Sequence, residues 1–180
     1  MKKLLVFSTI LAVASCNNGT ETKSTNEDAT KLNTEVTYAY PINYSSKFEM
    51  GDPKKSQKVS ELWKAFDDNK LMDTKDDFAD SVSMEFSGMV MSGNRDTILA
   101  HMSGYRSSLA SVVSKIDVIF STRSIDKDSD GNWICVWGSE KTTSMDNKID
   151  SAKIHEIWHF NKEGKIDQMS QYKQEYPMAK

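Results

Sequence analysis

The chain is 180 residues long, 27% charged and 38% hydrophobic, with a formal charge of −3 at neutral pH. Its Lys and Arg are spread along the sequence and form no basic stripe able to track phosphates, which argues against nucleic acid as a partner. The part able to build a core, about 120 residues, suits one domain and leaves no room for a second.

The N-terminus places Lys2 and Lys3 before an apolar run, Leu4 to Ala14, and then Val13-Ala14-Ser15-Cys16. The run is about 11 residues, short of the roughly 20 that span a bilayer, and the order is that of a signal peptide. Small residues directly before a cysteine resemble the lipobox of bacterial lipoproteins. That resemblance implies removal of residues 1–15, acylation (palmitate) of Cys16, and an exported chain anchored by lipid to a bacterial membrane, on its periplasmic side or at the cell surface. Residues 16–53 then read as a lipidated tether and approach segment. Asn17 to Asn33 is almost free of apolar side chains, and Tyr38, Tyr40, Tyr44 and Phe48 follow. Residues 54–180 read as the domain with a short C-terminal tail. With Cys16 committed to lipid, Cys135 has no partner for a disulfide, and between Trp133 and Trp137 it reads as a small buried hydrophobe.

Val59, Leu62, Trp63 and Phe66 recur at helical spacing over Gln57 to Leu71, with Ser56 or Ser60 able to cap the start. Asp73 to Asp77 suits a short turn or second helix. Val82, Met84 and Phe86 alternate with Ser83 and Glu85 as a half-buried strand ending near Gly88. Asn94 or Asp96 can cap a helix carrying Ile98, Leu99, Met102, Tyr105, Leu109 and Val112. Four strand-like stretches follow, Ile116 to Ile125, Trp133 to Thr143, Lys153 to Phe160 and Lys165 to Tyr172. They are separated by the turn pairs Asp130-Gly131, Asp146-Asn147 and Glu163-Gly164. Helices first and a meander of strands afterwards predict an α+β domain, with helices covering one face of a curved antiparallel sheet and a cavity beneath them.

Two motifs suggest metals. His155-Glu156-Ile157-Trp158-His159 matches H-E-x-x-H, in which a helix presents two zinc ligands and a glutamate base, the reading of a zinc metalloprotease. Here Ile154, Trp158 and Phe160 share one parity and His155 and His159 the other, as in a strand. Residues four apart in a strand lie about 13 Å apart, too far to share one zinc. Asp126, Asp128, Asp130 and Gly131 open like an EF-hand loop, but the twelfth position is Trp137 instead of a bidentate glutamate. No metal or other cofactor is expected.

The order of elements, Ala65 thirteen residues before Phe78-Ala79-Asp80, and the late turn Phe160-Asn161-Lys162-Glu163-Gly164-Lys165-Ile166 together resemble the nuclear transport factor two-like superfamily, with its SnoaL-like proteins and steroid isomerases. The resemblance covers roughly Lys58 to Tyr172. It implies a cone, a curved antiparallel sheet packed around N-terminal helices, with an apolar pocket at the open end and often a homodimer through the outer sheet face. The tyrosine, aspartate base and protonated aspartic acid of the steroid isomerases fall on Leu62, Phe86 and Glu156, so base and phenol are both missing.

Glu156 interrupts an otherwise apolar strand face of Ala152, Ile154, Trp158 and Phe160, where desolvation would raise its pKa. Trp63, Phe66, Phe86, Tyr105, Trp137 and Trp158 are the candidate pocket walls. Three functions follow. The first is a module binding a small apolar molecule, with Glu156 as its polar contact. The second is a SnoaL-like isomerase, cyclase or dehydratase using Glu156 as acid-base, with Tyr105 or His101 as partner. The third is an interaction scaffold whose cavity its own aromatics fill.

Overall fold

The structure, a computed structural model, describes residues 36–126 and 131–175. Residues 1–15, Cys16, Asp128 and Asp130 lie outside them. Residues 36–39 belong to a first unit and carry no helix or strand; the elements below belong to the second.

A strand β1 (Phe48–Met50) lies within the segment read as an approach and pairs with the end of a long strand, β4 (Leu109–Ser124), Phe48 opposite Ser124 and Met50 opposite Thr122. Helix α1 (Pro53–Asp67) begins ahead of both serines expected to cap it, Ser56 and Ser60. Asp52 is extended and accepts from the Lys54 N–H at 2.9 Å, while Pro53 fills the first helical position, where no amide donor is needed. Ser60 instead donates back to Gln57 O, at 2.7 Å. Asn69, at φ 58°, turns the chain out of the helix, and a 3₁₀ helix (Leu71–Asp77) occupies the stretch read as a turn or second helix.

Strand β2 (Phe78–Phe86) is followed by a strand unforeseen in the sequence, β3 (Met89–Asn94). Phe86 pairs with Met89 across Ser87-Gly88, at φ 47° and 97°. Positive φ at both central residues is the two-residue turn that matches strand twist, and it suits glycine at the second place. Asn94, accepting from Asp96 N and Thr97 N, caps α2 (Arg95–Ser107). The helix is shorter than its apolar period suggested. Leu109 and Val112 belong to the long strand β4 (Leu109–Ser124), because Ser108 caps the helix end and the β-branched pair Val112-Val113 prefers extended backbone. Strands β5 (Asn132–Ser144), β6 (Ile149–Phe160) and β7 (Ile166–Glu175) complete the meander.

The seven strands form one sheet in the order β1-β4-β5-β6-β7-β2-β3. The sheet is mixed where an antiparallel one was expected: β2 runs parallel to β7, Met84 beside Met169 and Phe86 beside Gln171, and the other pairings are antiparallel. The α+β cone stands, with one parallel seam inside its sheet. Register slips between Ile116 and Val118 in β4, leaving Asp117 as an extra residue opposite Gly138-Trp137, and such a bulge bends a strand. The helices lie in the resulting concavity. Phe78, Met84, Leu99, Ile134, Phe160, Ile166 and Met169 are buried there, each contributing on the order of 1.5–3 kcal/mol.

Two polar devices hold the helices over the sheet. Arg106, 7% exposed, donates to Phe66 O at 2.9 Å, Asp67 O at 2.7 Å and Leu109 O at 3.1 Å. Its cation thereby sits at the negative, carbonyl-bearing end of α1. Asp67 in turn accepts from Ser114 N and Oγ of β4, at 2.9 and 2.8 Å. The C-terminus of α1 is therefore tied to both α2 and the sheet, which sets the depth of the space between them.

Candidate functional site

Strand alternation builds the site. In β6, Ile154, Glu156, Trp158 and Phe160 face the helices, while His155, Ile157 and His159 face the other way. Val136 of β5 and Gln171 of β7 stand opposite Glu156 on either side. Glu156 is 5% exposed and carries a network of donors. Oε2 accepts from the indole N–H groups of Trp63 (2.5 Å) and Trp158 (2.8 Å), and Oε1 from the Gln171 amide (2.9 Å). Among the described residues no Lys or Arg forms an ion pair with it. A half-turn of the Gln171 amide would present its oxygen instead, so the network can hold Glu156 charged or protonated without an orphaned group.

Trp63 reaches the acid because of Gly138. A Cβ at Gly138 would touch Trp63 Cζ3 and Cη2 at 3.0 Å and run into the Lys115 carbonyl, so the absence of a side chain opens the bed on which the indole lies.

Around this network is a cavity of about 330 Å³. Its walls are Leu62, Trp63 and Phe66 from α1, Phe86 from β2, Met89 and Met91 from β3, Met102 and Tyr105 from α2, and Ile154, Trp158 and Met169 from the sheet. His101, Ser114, Glu140, Gln171 and Lys173 add polar groups. Five of the six aromatics named from sequence therefore line one space, and so do Leu62, Phe86 and Glu156, the three positions aligned with the steroid isomerases.

Trp137 does not line it. Its neighbour Val136 opposes Glu156 on the inner face, so Trp137 points outward and stacks on His155, ring centroids 5.0 Å apart. His159 lies on that outer face too, 4.4 Å from the Trp133 ring and bonded through Nδ1 to Asp167 (2.5 Å). The H-E-x-x-H segment thus sends its glutamate and its histidines to opposite faces of a strand and cannot form a zincin site. Among the described residues no group of three or more His, Cys, Asp or Glu is placed to hold a metal ion. Cys135 is half-buried on the outer face, and burial pushes its thiol up, away from nucleophilic character.

Glu140 was missed. It lies on β5 two residues beyond Gly138 with the same inward parity, inside the stretch Trp133 to Thr143 read as a strand. Burial raises its pKa above the ordinary 4.5; Lys173 opposes the rise, and Glu156, Asp67 and Asp150 add to it. Burial likewise raises Glu156, against the hydrogen bonds from Gln171, Trp63 and Trp158. Lys173 of β7 is engaged by Asp150, at 3.3 Å.

A carboxyl whose folded-state pKa is raised holds its proton more tightly when folded. Its stabilising effect is complete below pH 4.5 and is lost as pH rises through the folded value. The unfolding free energy of Glu140→Gln/Glu156→Gln should therefore gain on the parent as pH climbs from about 4 to 8, read by urea unfolding at each pH. Facing charged or titratable groups, Asp67 on α1, His101 and Tyr105 on α2, Asp150 on β6 and Lys173 on β7, are common to both proteins. A constant difference would mean that neither acid is shifted.

No protein-family model matches the chain, and no curated protein matches it significantly. Solved structures do. An NTF2-like protein of unknown function from Exiguobacterium sp. 255-15 shares 12% identity at a TM-score of 0.52, covering 64% of this chain and 97% of that one. AusH from Aspergillus nidulans shares 11% at 0.54, covering 70% and 87%. The epoxide hydrolase/cyclase-like enzyme SalBIII, of pyran ring formation in the polyether salinomycin, shares 17% at 0.51, covering 67% and 91%. The fold is NTF2-like. At these identities the likeness extends to the NTF2-like architecture alone, and chemistry has to be argued from the cavity.

Proposed function

We propose that this chain is an exported lipoprotein, anchored to a bacterial membrane through lipid on Cys16, whose NTF2-like domain binds a small, mainly apolar molecule in the cavity with Glu156 as its buried polar contact. One observation carries the binding reading. A space of about 330 Å³, within the roughly 300–1,000 Å³ of small-molecule sites, is walled by aromatic and methionine side chains around Glu156, a carboxylate held in place by two indole N–H groups. Rigid aromatics and adaptable methionines suit an apolar body, and the acid with Gln171 suits one polar group on it.

Protein purified without its lipid should release a small molecule on solvent extraction and mass spectrometry, and Met102→Trp, which fills the cavity, should release none. The same preparation should melt higher with added apolar ligands, and the Trp variant should not. If the parent yields no molecule and no ligand raises its melting temperature, the binding reading falls. The anchor is tested separately, since palmitate labelling in an expressing bacterium should vanish in Cys16→Ser. The outer face with Trp133, Trp137, His155 and Tyr172 is the surface on which a homodimer would form.

A second reading, an isomerase, cyclase or dehydratase, is favoured by the presence of two carboxyls of raised pKa on one cavity. SalBIII, similar in fold, is an epoxide hydrolase/cyclase-like enzyme. For turnover by this route, Glu156→Gln must abolish activity on a candidate substrate while leaving the fold intact.

A further inference from the structure

We infer that the molecule this cavity takes is an organic cation, an apolar body bearing one protonated or quaternary nitrogen that sits against Glu140 among the aromatic walls. This deepens the binding reading above and rests on it.

The argument begins with which charges are already answered. Glu156 is already compensated by donors from Trp63 and Trp158 at Oε2 and from Gln171 at Oε1, where one lone pair is left for a polar group on the ligand. Lys173 is held by Asp150 at 3.3 Å, with Glu175 at 3.9 Å. Glu140 is different. Among the described residues no side chain donates a hydrogen bond to it and no cation lies within ion-pair distance, although it lines the cavity with Lys173 and Glu156 within electrostatic reach. Gly138, two residues away on the same face, carries the Trp63 ring, so the free acid stands about 7 Å further along the strand that bears the indole.

Each ligand class can then be weighed. A neutral apolar ligand would cover Glu140 and strip its water without replacing it, which costs free energy. An anion would meet two acids and a lysine already in use. A cation answers Glu140 directly and gains from ring faces, because an ammonium over an indole or phenol gains up to about 2 kcal/mol when desolvated. Five aromatic residues border the space, and two of them donate their N–H to Glu156, which enriches their rings in electron density.

The test uses three probes of one shape: benzyltrimethylammonium, its uncharged carbon analogue neopentylbenzene, and phenylacetate. Binding is followed by calorimetry and indole fluorescence in the parent, Glu140→Gln and Met102→Trp proteins. The cation should bind roughly ten-fold or more tighter than the carbon analogue, and phenylacetate weakest. Glu140→Gln should lose roughly ten-fold for the cation while binding neopentylbenzene as well as the parent does or better. An unchanged melting temperature would show that the variant is folded. Equal or tighter binding of the carbon analogue, or a cation affinity indifferent to Glu140→Gln, overturns the cation inference and leaves the apolar pocket standing. If none of the three binds the parent, or if all bind Met102→Trp equally, the inference fails together with the pocket reading.

Discussion

Glu156→Ala should lower the unfolding free energy by about 3–5 kcal/mol, whereas Glu156→Gln should stay within about 1 kcal/mol of the parent. The two substitutions separate charge from hydrogen bonding. Both remove the cost of burying a carboxylate, so a net gain would be possible if the surrounding donors found other partners. In the alanine protein they do not, because Trp63 and Trp158 are packed with their N–H groups aimed at one atom and Gln171 completes the set. Each orphaned buried donor costs about 1–3 kcal/mol, and three of them outweigh the relief of desolvation. The glutamine oxygen still accepts from both indoles, and its amide can pair with a turned Gln171. Urea unfolding monitored by tryptophan fluorescence measures both, and equal losses for Ala and Gln would show that the donors do not depend on this acceptor.

Gly138→Ala should cost about 3 kcal/mol and empty the site of its probe ligands as well. The added methyl meets the Lys115 carbonyl, which belongs to the bulged strand and has no rotamer by which to withdraw, and presses on Trp63 at 3.0 Å. Either the bend opens or the indole lifts, and lifting the indole breaks its bond to Glu156. Combining Gly138→Ala with Trp63→Phe separates the causes. A coupling energy near zero assigns the cost to backbone, and a favourable one assigns it to the ring. A loss under about 1 kcal/mol would mean that the bend gives way freely.

The inward direction of Glu156 was legible because Ile154, Trp158 and Phe160 share its parity, and that alternation also disposed of the zinc motif. The helices were legible from their periods, though not their ends. Asp52-Pro53 starts α1 by capping chemistry that no apolar period reveals, and α2 stops before Leu109 although that residue keeps the phase. Strand β3 was hidden because Gly88 reads as an ending when it is half of a tight turn, and Met89-Val90-Met91 is too short to alternate convincingly. The parallel pairing of β2 with β7 leaves no local mark, since strand patterns encode burial and not direction. Trp137 was drawn into the pocket by its size. Counting from Ile134 and Val136 would have sent it outward and found Glu140 by the same step.

The seam between β2 and β7 also governs when the cavity can exist. Residues 78–86 must wait for residues 166–175 before their edge is satisfied, and β7 brings Met169, Gln171 and Lys173 to the site. Contacts of such wide separation close slowly, after the local hairpins have formed. A chain emerging from a ribosome or a translocation channel would therefore hold its hairpins and helices for some time with no receptor between them. If the cavity takes a ligand as proposed, capture would begin only once β7 had docked, which makes residues 166–175 the switch from a folded scaffold to a working one.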